Sequence, residues 1–126
     1  MSFEVGVVAH FTASHHLVGD FGPASLPHAH DYRVEVSASG EDLRGDGTLF
    51  DITRLQQALA QVIAGLDGRN LNEAAATSTP NPTAEIVARY VFDHVAVALS
   101  GQGLTRLQTR IWESPEAYAT YSGDLA

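Results

Sequence analysis

The chain contains no cysteine in its 126 residues. That excludes a disulfide scaffold, thiolate metal sites and any thiol nucleophile. Positive charge is scarce as well: 7 Lys and Arg stand against 15 Asp and Glu, for a formal net charge of -8. Sequence-independent binding to nucleic-acid phosphates or to an anionic membrane requires the opposite sign, so neither partner is expected. No apolar run approaches the roughly 20 residues that span a bilayer. The start, Met1-Ser2-Phe3-Glu4, lacks the basic segment of a leader, so a cytoplasmic protein is the expectation. Hydrophobic residues make up 44% of the chain, and the 11 Gly and 5 Pro are dispersed as punctuation. That composition and length predict one globular domain, 1–126, with a core large enough to fold without staples. With thiols absent, six histidines are the remaining borderline-soft metal ligands.

Between 3 and 11 the odd positions Phe3, Val5, Val7, Ala9 and Phe11 are apolar, which marks a strand with one buried face. The 14–27 stretch, with Gly19, Asp20, Gly22 and Pro23, reads as a loop. Tyr32, Val34, Val36 and Ala38 define the buried face of a second strand. A helix capped by Asp51 follows, with Ile52, Leu55, Leu59, Ile63 and Leu66 along one face and Gly68 closing it. A loop over 69–80, containing Asn70, Asn72, Thr77 and Ser78, leads to a second helix. Asn81 is its expected cap, Pro82 its first residue, and Val87, Val91, Val95 and Ala98 its apolar stripe. Strands over 104–113 and 117–121 complete the chain. The order ββααββ predicts an α+β domain: an antiparallel four-stranded sheet with two helices on one face.

Three histidines stand out for chemistry. His28 and His30, two apart in an extended chain, project from one face. His15 shares the parity of the apolar stripe that ends at Phe11, whereas His16 and His10 point the other way. Antiparallel pairing would bring the three rings together, and three neutral imidazoles with an open fourth position make a catalytic type of zinc site. From spacing alone, H-x-H is more often merely a polar strand entrance.

The motifs around these residues resemble those of the 6-pyruvoyltetrahydropterin synthase family, which includes the bacterial 6-carboxytetrahydropterin synthases of queuosine biosynthesis. Phe11-Thr12-Ala13-Ser14-His15 resembles F-x-A-x-H, and His28-Ala29-His30-Asp31-Tyr32 resembles H-G-H-N-Y. Leu66-Asp67-Gly68-Arg69-Asn70-Leu71-Asn72 is similar to L-D-H-x-x-L-N, Asn81-Pro82-Thr83-Ala84-Glu85 to N-P-T-x-E, and Ile111-Trp112-Glu113-Ser114 to a closing W-E-T strand. The resemblance implies the T-fold, assembled as trimers that stack into homohexamers with active sites between subunits. It implies Zn2+ on His15, His28 and His30, holding the oxygenated side chain of a dihydropterin, and Glu113 gripping the pterin ring. A carboxylate suits that task because it accepts two parallel N–H bonds from an aminopyrimidinone edge. Thr83 and Glu85 match pocket-lining positions, although both are also ordinary first-turn helix residues.

The chain departs from the family pattern at two proton-transfer positions. The cysteine four residues before the first His of H-x-H is Ala24 here, and the histidine of L-D-H is Gly68; Asp67 alone is retained as a catalytic candidate. Methyl and hydrogen side chains take no proton. Ser25, His10, His16 and Asp31 are the nearby alternatives, and a zinc-bound water with a pKa of about 7 is the most economical one. Three readings follow: a zinc-dependent lyase acting on the side chain of a pterin-like heterocycle, a non-catalytic pterin-binding homologue, or a structural relative whose histidines bind metal only adventitiously. A phosphate patch would have to come from Arg33, Arg69, Arg106 and Arg110.

Overall fold

The computed structural model describes residues 1–74 and 81–125; Thr77, Ser78 and Pro80 of the expected loop lie outside that range. Four strands, β1 (Phe3–His15), β2 (His28–Gly40), β3 (Arg106–Ser114) and β4 (Ala117–Asp124), form one antiparallel sheet in the order β1-β2-β3-β4. Two helices, α1 (Ile52–Ala64) and α2 (Ala84–Leu99), cover one face, α1 over β1 and α2 over β3 and β4. The α+β architecture is the expected one. Its core is the parity set of the strands: Val7 and Phe11 from β1, Tyr32, Val34, Val36 and Ala38 from β2, Leu107 and Ile111 from β3, all buried. Leu55 and Leu59 of α1 and Val87, Val91 and Val95 of α2 close it from above. Each such aliphatic side chain contributes about 1.5–3 kcal/mol on full burial. Thr109, also fully buried, donates from Oγ1 to the Ala88 carbonyl at 2.6 Å and so ties α2 down onto β3.

The long strands β1 and β2 overrun their expected limits. Residues 14 and 15 belong to β1 and residues 28 to 31 to β2, where a loop and a strand entrance were expected. The free edge of β1 explains the extension, because the segment after α1 pairs with it. The Gly68 amide donates to the Thr12 carbonyl (2.7 Å), Ser14 N–H to Arg69 (3.0 Å) and Leu71 N–H to Ser14 (2.8 Å). The Asn72 amide then imitates a peptide group, accepting from His16 N–H and donating to the His16 carbonyl. Asn81 does the same for both backbone groups of Val18. Backbone groups of Thr12, Ser14, His16 and Val18 are thus held by partners remote in sequence, which alternation alone does not reveal. The 14–27 expectation survives as the connection after His15, containing a short 3-10 turn, Gly22–Ser25.

Asp51 caps α1 as expected, accepting from Thr53 N–H at 2.9 Å. The helix stops at Ala64, and Gly68, at φ +71, ends the turn after it rather than the helix itself. Ile52, the first residue of α1, is 47% exposed. At α2 the expected cap is corrected. Asn81 is occupied with Val18, Pro82 precedes the cap, and Thr83 caps the helix by accepting from Ile86 N–H at 3.3 Å. The stripe on α2 also ends on Leu99, which is buried, and not on Ala98, which is exposed. Thr83→Ala should therefore lower stability by about 1 kcal/mol, with Thr83→Ser restoring most of it. Thermal melting followed by circular dichroism checks this; an unchanged melting temperature for the alanine variant would show the cap to be idle.

Candidate metal centre and ligand pocket

The register sets His15 directly opposite His28 and Ala13 opposite His30, so all three imidazoles project from the helix-covered face at one end of the β1–β2 pair. Ring centroids are 4.5 Å apart for His15 and His28, 5.1 Å for His15 and His30, and 4.8 Å for His28 and His30, each pair edge to face. One nitrogen from each ring lies within 4.8 Å of the others, and among the described residues they form a group able to hold a cation. Small side-chain rotations close that spacing to the roughly 3.4 Å between nitrogens that tetrahedral binding at about 2.0–2.1 Å requires.

Each ring is braced from behind. Nδ1 of His15 lies 2.8 Å from the Pro82 carbonyl, and Nδ1 of His28 lies 2.8 Å from the Leu26 carbonyl. A carbonyl only accepts, so each Nδ1 carries the proton and each Nε2 keeps its lone pair for a metal. The backbone of Glu113 stands behind the His30 ring. Backbone carbonyls behind ligating imidazoles are the usual outer layer of a metal site, fixing tautomer and ring orientation together. Burial, followed by the neighbouring His15 and His28, holds His30 below the ordinary histidine range, against the opposing pull of the Glu113 charge. A neutral ring is the form that binds metal. The donor chemistry therefore fits zinc.

Glu113 is half-buried beside this group, and its charge acts on both His30 and Tyr32. It sits at a β-bulge: Trp112 pairs with Tyr118 and Ser114 with Ala117, leaving Glu113 without a partner on β4. Bulges re-aim side chains and recur beside functional sites. The Ser114-Pro115 pair marks a strand break in the sequence, but nothing in it signals the bulge.

The other expected residues are placed less centrally. Thr83 adjoins Pro82, whose carbonyl braces His15, and its hydroxyl is spent on the helix cap. Glu85 is exposed in the first turn of α2. Asp67 is not among the converging groups: its Oδ1 accepts from Thr12 N–H at 3.0 Å on the edge of β1, three residues or about 10 Å along the strand from His15. The substitutes are committed elsewhere. Ser25 Oγ donates to the Gly19 carbonyl and accepts from Phe21 N–H, and Asp31 accepts from Thr12 Oγ1 at 2.7 Å. His10 and Asp31 line a cavity of about 320 Å³ with Arg33 and Trp112 on the helix-free face. Three of the four arginines considered for phosphate are paired in their own sheet: Arg33 with Glu35 (3.1 Å), Arg106 with Asp124 (3.4 Å), and Arg110 over the Tyr118 ring (4.4 Å).

The sheet order and the placement of both helices on one face are those of the T-fold. Residues 4–124 match 6-pyruvoyl tetrahydropterin synthase, and the chain belongs to that family. It is 28% identical to the 6-carboxy-5,6,7,8-tetrahydropterin synthase of Bacillus subtilis, the alignment covering 95% of this chain and 85% of the other. It is 32% identical to the 6-pyruvoyl tetrahydrobiopterin synthase of Drosophila melanogaster over 76% of this chain and 58% of that one. Among solved structures, the 6-pyruvoyl tetrahydropterin synthase of Caenorhabditis elegans superimposes with a TM-score of 0.83 at 27% identity, covering 98% of this chain and 96% of that one. Family membership supports a pterin-metabolising synthase or lyase activity. No helix among the described residues is long and apolar enough to cross a membrane.

Proposed function

We propose that the chain is a zinc-dependent lyase acting on the side chain of a dihydropterin or a closely related heterocycle. The observation that carries this reading is the convergence of three imidazoles, each braced by a backbone group, beside the Glu113 carboxylate. His15, His28 and His30 would hold the zinc through their free nitrogens. A bound zinc ion supplies Lewis-acid polarisation of an oxygen on the substrate side chain. Glu113 orients the substrate by accepting two N–H bonds from the aminopyrimidinone edge, and as a half-buried carboxylate it does so with less competition from water. Thr83 and Glu85 flank this region at the start of α2, while Asp67, the one retained proton-transfer candidate, stands apart from it on the β1 edge, accepting from Thr12 N–H.

An active site completed between neighbouring copies accords with the family resemblance. The sheet has two edges that no further strand covers, β4 and the part of β1 before Thr12, and their exposed backbone groups favour pairing with further chains. A cytoplasmic homohexamer, a dimer of trimers, is the assembly we infer; light scattering at micromolar concentration tests it, and a monomer would contradict it.

A second reading, a non-catalytic pterin-binding homologue, is favoured by Ala24, Gly68 and the occupied Ser25 hydroxyl. Incubating zinc-loaded protein with dihydroneopterin triphosphate and with dihydroneopterin, then following products by mass spectrometry, separates the two. Product formation supports the lyase. Tight binding without product supports the second reading, and neither binding nor product removes both. Ala24→Cys with Gly68→His should create or raise synthase activity, while Ala24→Cys alone changes little. A Cβ at position 68 meets nothing within 4 Å, so the cost of the histidine there is its left-handed backbone (φ +71) and not space. An inactive double variant with zinc and pterin bound normally would show that more than these two groups has changed.

A further inference from the structure

Among the described residues, one buried side-chain polar atom lacks a hydrogen-bond partner: the Tyr32 hydroxyl. Tyr32 is 0% exposed, on the helix-covered face of β2. Its ring fills space well enough without oxygen, stacking on Phe11 at 4.7 Å and 11°. The hydroxyl has lost its water and gained no partner, whereas buried tyrosines ordinarily find one. An orphan of this kind is retained at a cost, and its surroundings are those of the candidate site. Tyr32 stands edge-on to His30 at 5.4 Å and to His15 at 6.4 Å. Continued by one residue, the Arg33–Trp112 pairing sets Tyr32 across from Glu113, and same-face residues so placed have Cβ atoms about 4.5–5.5 Å apart.

We propose that Tyr32 is a positioning residue whose hydroxyl donates to the Glu113 carboxylate once a ligand has drawn that carboxylate inward, fixing the plane in which it meets the ligand. The inference rests on the reading of Glu113 as the pterin anchor. A phenol, with an ordinary pKa of about 10, is a donor across the working pH. Glu113 is the acidic group whose charge acts on the phenol, and its place in the β-bulge leaves it without a cross-strand tie on β4. A carboxylate that must accept two N–H bonds in one plane gains from a third donor behind it, because that donor holds the plane while the ligand is bound.

The test compares the parent chain with Tyr32→Phe, Glu113→Gln and the double variant. Metal-free protein is melted, and neopterin affinity is read by quenching of Trp112, the single tryptophan. Tyr32→Phe should melt at the parent temperature or higher, since it deletes an unsatisfied group, yet bind neopterin about 10-fold more weakly. The double variant should bind no more weakly than Glu113→Gln alone, because the hydroxyl acts through that carboxylate. Parent-like affinity in Tyr32→Phe, or losses that add in the double variant, would overturn the proposal. So would a melting temperature several degrees lower, which would show the hydroxyl to be a structural bond. The melting arm needs no ligand and still judges Tyr32 should the parent fail to bind neopterin; that failure would count against the pterin reading alone.

Discussion

Replacing His28 with alanine should give a folded protein that no longer retains zinc. His28 lies at the open start of β2, half-buried, and its ring bond is to Leu26 in its own loop, so no long-range link in the fold depends on it. Two imidazoles remain, and affinity should fall by more than about 100-fold, the upper end of what removing a mere outer-layer partner costs. His15→Ala should behave differently. His15 is 3% exposed and joins β1 to the approach of α2 through the Pro82 carbonyl, so its loss should remove zinc and lower the melting temperature together. Zinc content after dialysis, alongside thermal melts of metal-free protein, measures both. Stoichiometric zinc in His28→Ala would mean that the trio does not hold the metal.

The second large effect is expected at Glu113. Glutamine preserves its size but turns one acceptor into a donor facing the N–H edge of the ligand. The loss of a charge-assisted hydrogen bond is worth about 1.5–3 kcal/mol, roughly 10- to 150-fold in affinity. Zinc should be unaffected, since Glu113 braces His30 through its backbone, which the substitution leaves in place. That split, pterin binding lost and metal retained, distinguishes a ligand anchor from a residue that merely shapes the metal site. Equal neopterin affinity in parent and variant would remove Glu113 from the pocket.

Much of this arrangement is legible in the sequence, for a definable reason. Parity along a strand is a local property, and the alternation through Phe11 and through Tyr32, Val34 and Val36 fixes which face His15, His28 and His30 share. Antiparallel pairing does the rest, setting His15 opposite His28. What alternation does not carry is the set of bonds between distant segments. The side-chain amides of Asn72 and Asn81 extend the edge of β1 by completing both backbone bonds of His16 and of Val18. In the sequence Asn81 resembles a helix cap, and a cap and a peptide mimic use the same atoms. The Pro82 carbonyl behind His15 and the Glu113 backbone behind His30 belong to the same class of long-range fact. Asn81-Pro82-Thr83 therefore does three separate jobs in three residues: it ties the β1–β2 connection, orients the His15 ring and starts α2.

The placement of Asp67 bears on chemistry more than on fold. Its bond to the Thr12 amide fixes the end of α1 against β1, which is work enough to retain an aspartate whether or not it moves a proton. Ala24 lies in the same excursion as Ser25, whose hydroxyl closes its own loop. Within one chain, then, the three imidazoles and Glu113 are brought together, and the groups considered for moving protons are not.

X-ray absorption at the zinc edge, recorded on zinc-loaded parent protein and on His15→Ala, His28→Ala and His30→Ala, addresses this most directly. One tightly held zinc per chain, with three imidazole nitrogens at about 2.0–2.1 Å in the parent and loss of that signal in every variant, is the predicted result. A zinc ion bound by fewer than three imidazoles, or retained unchanged when any one of these histidines is gone, would contradict it.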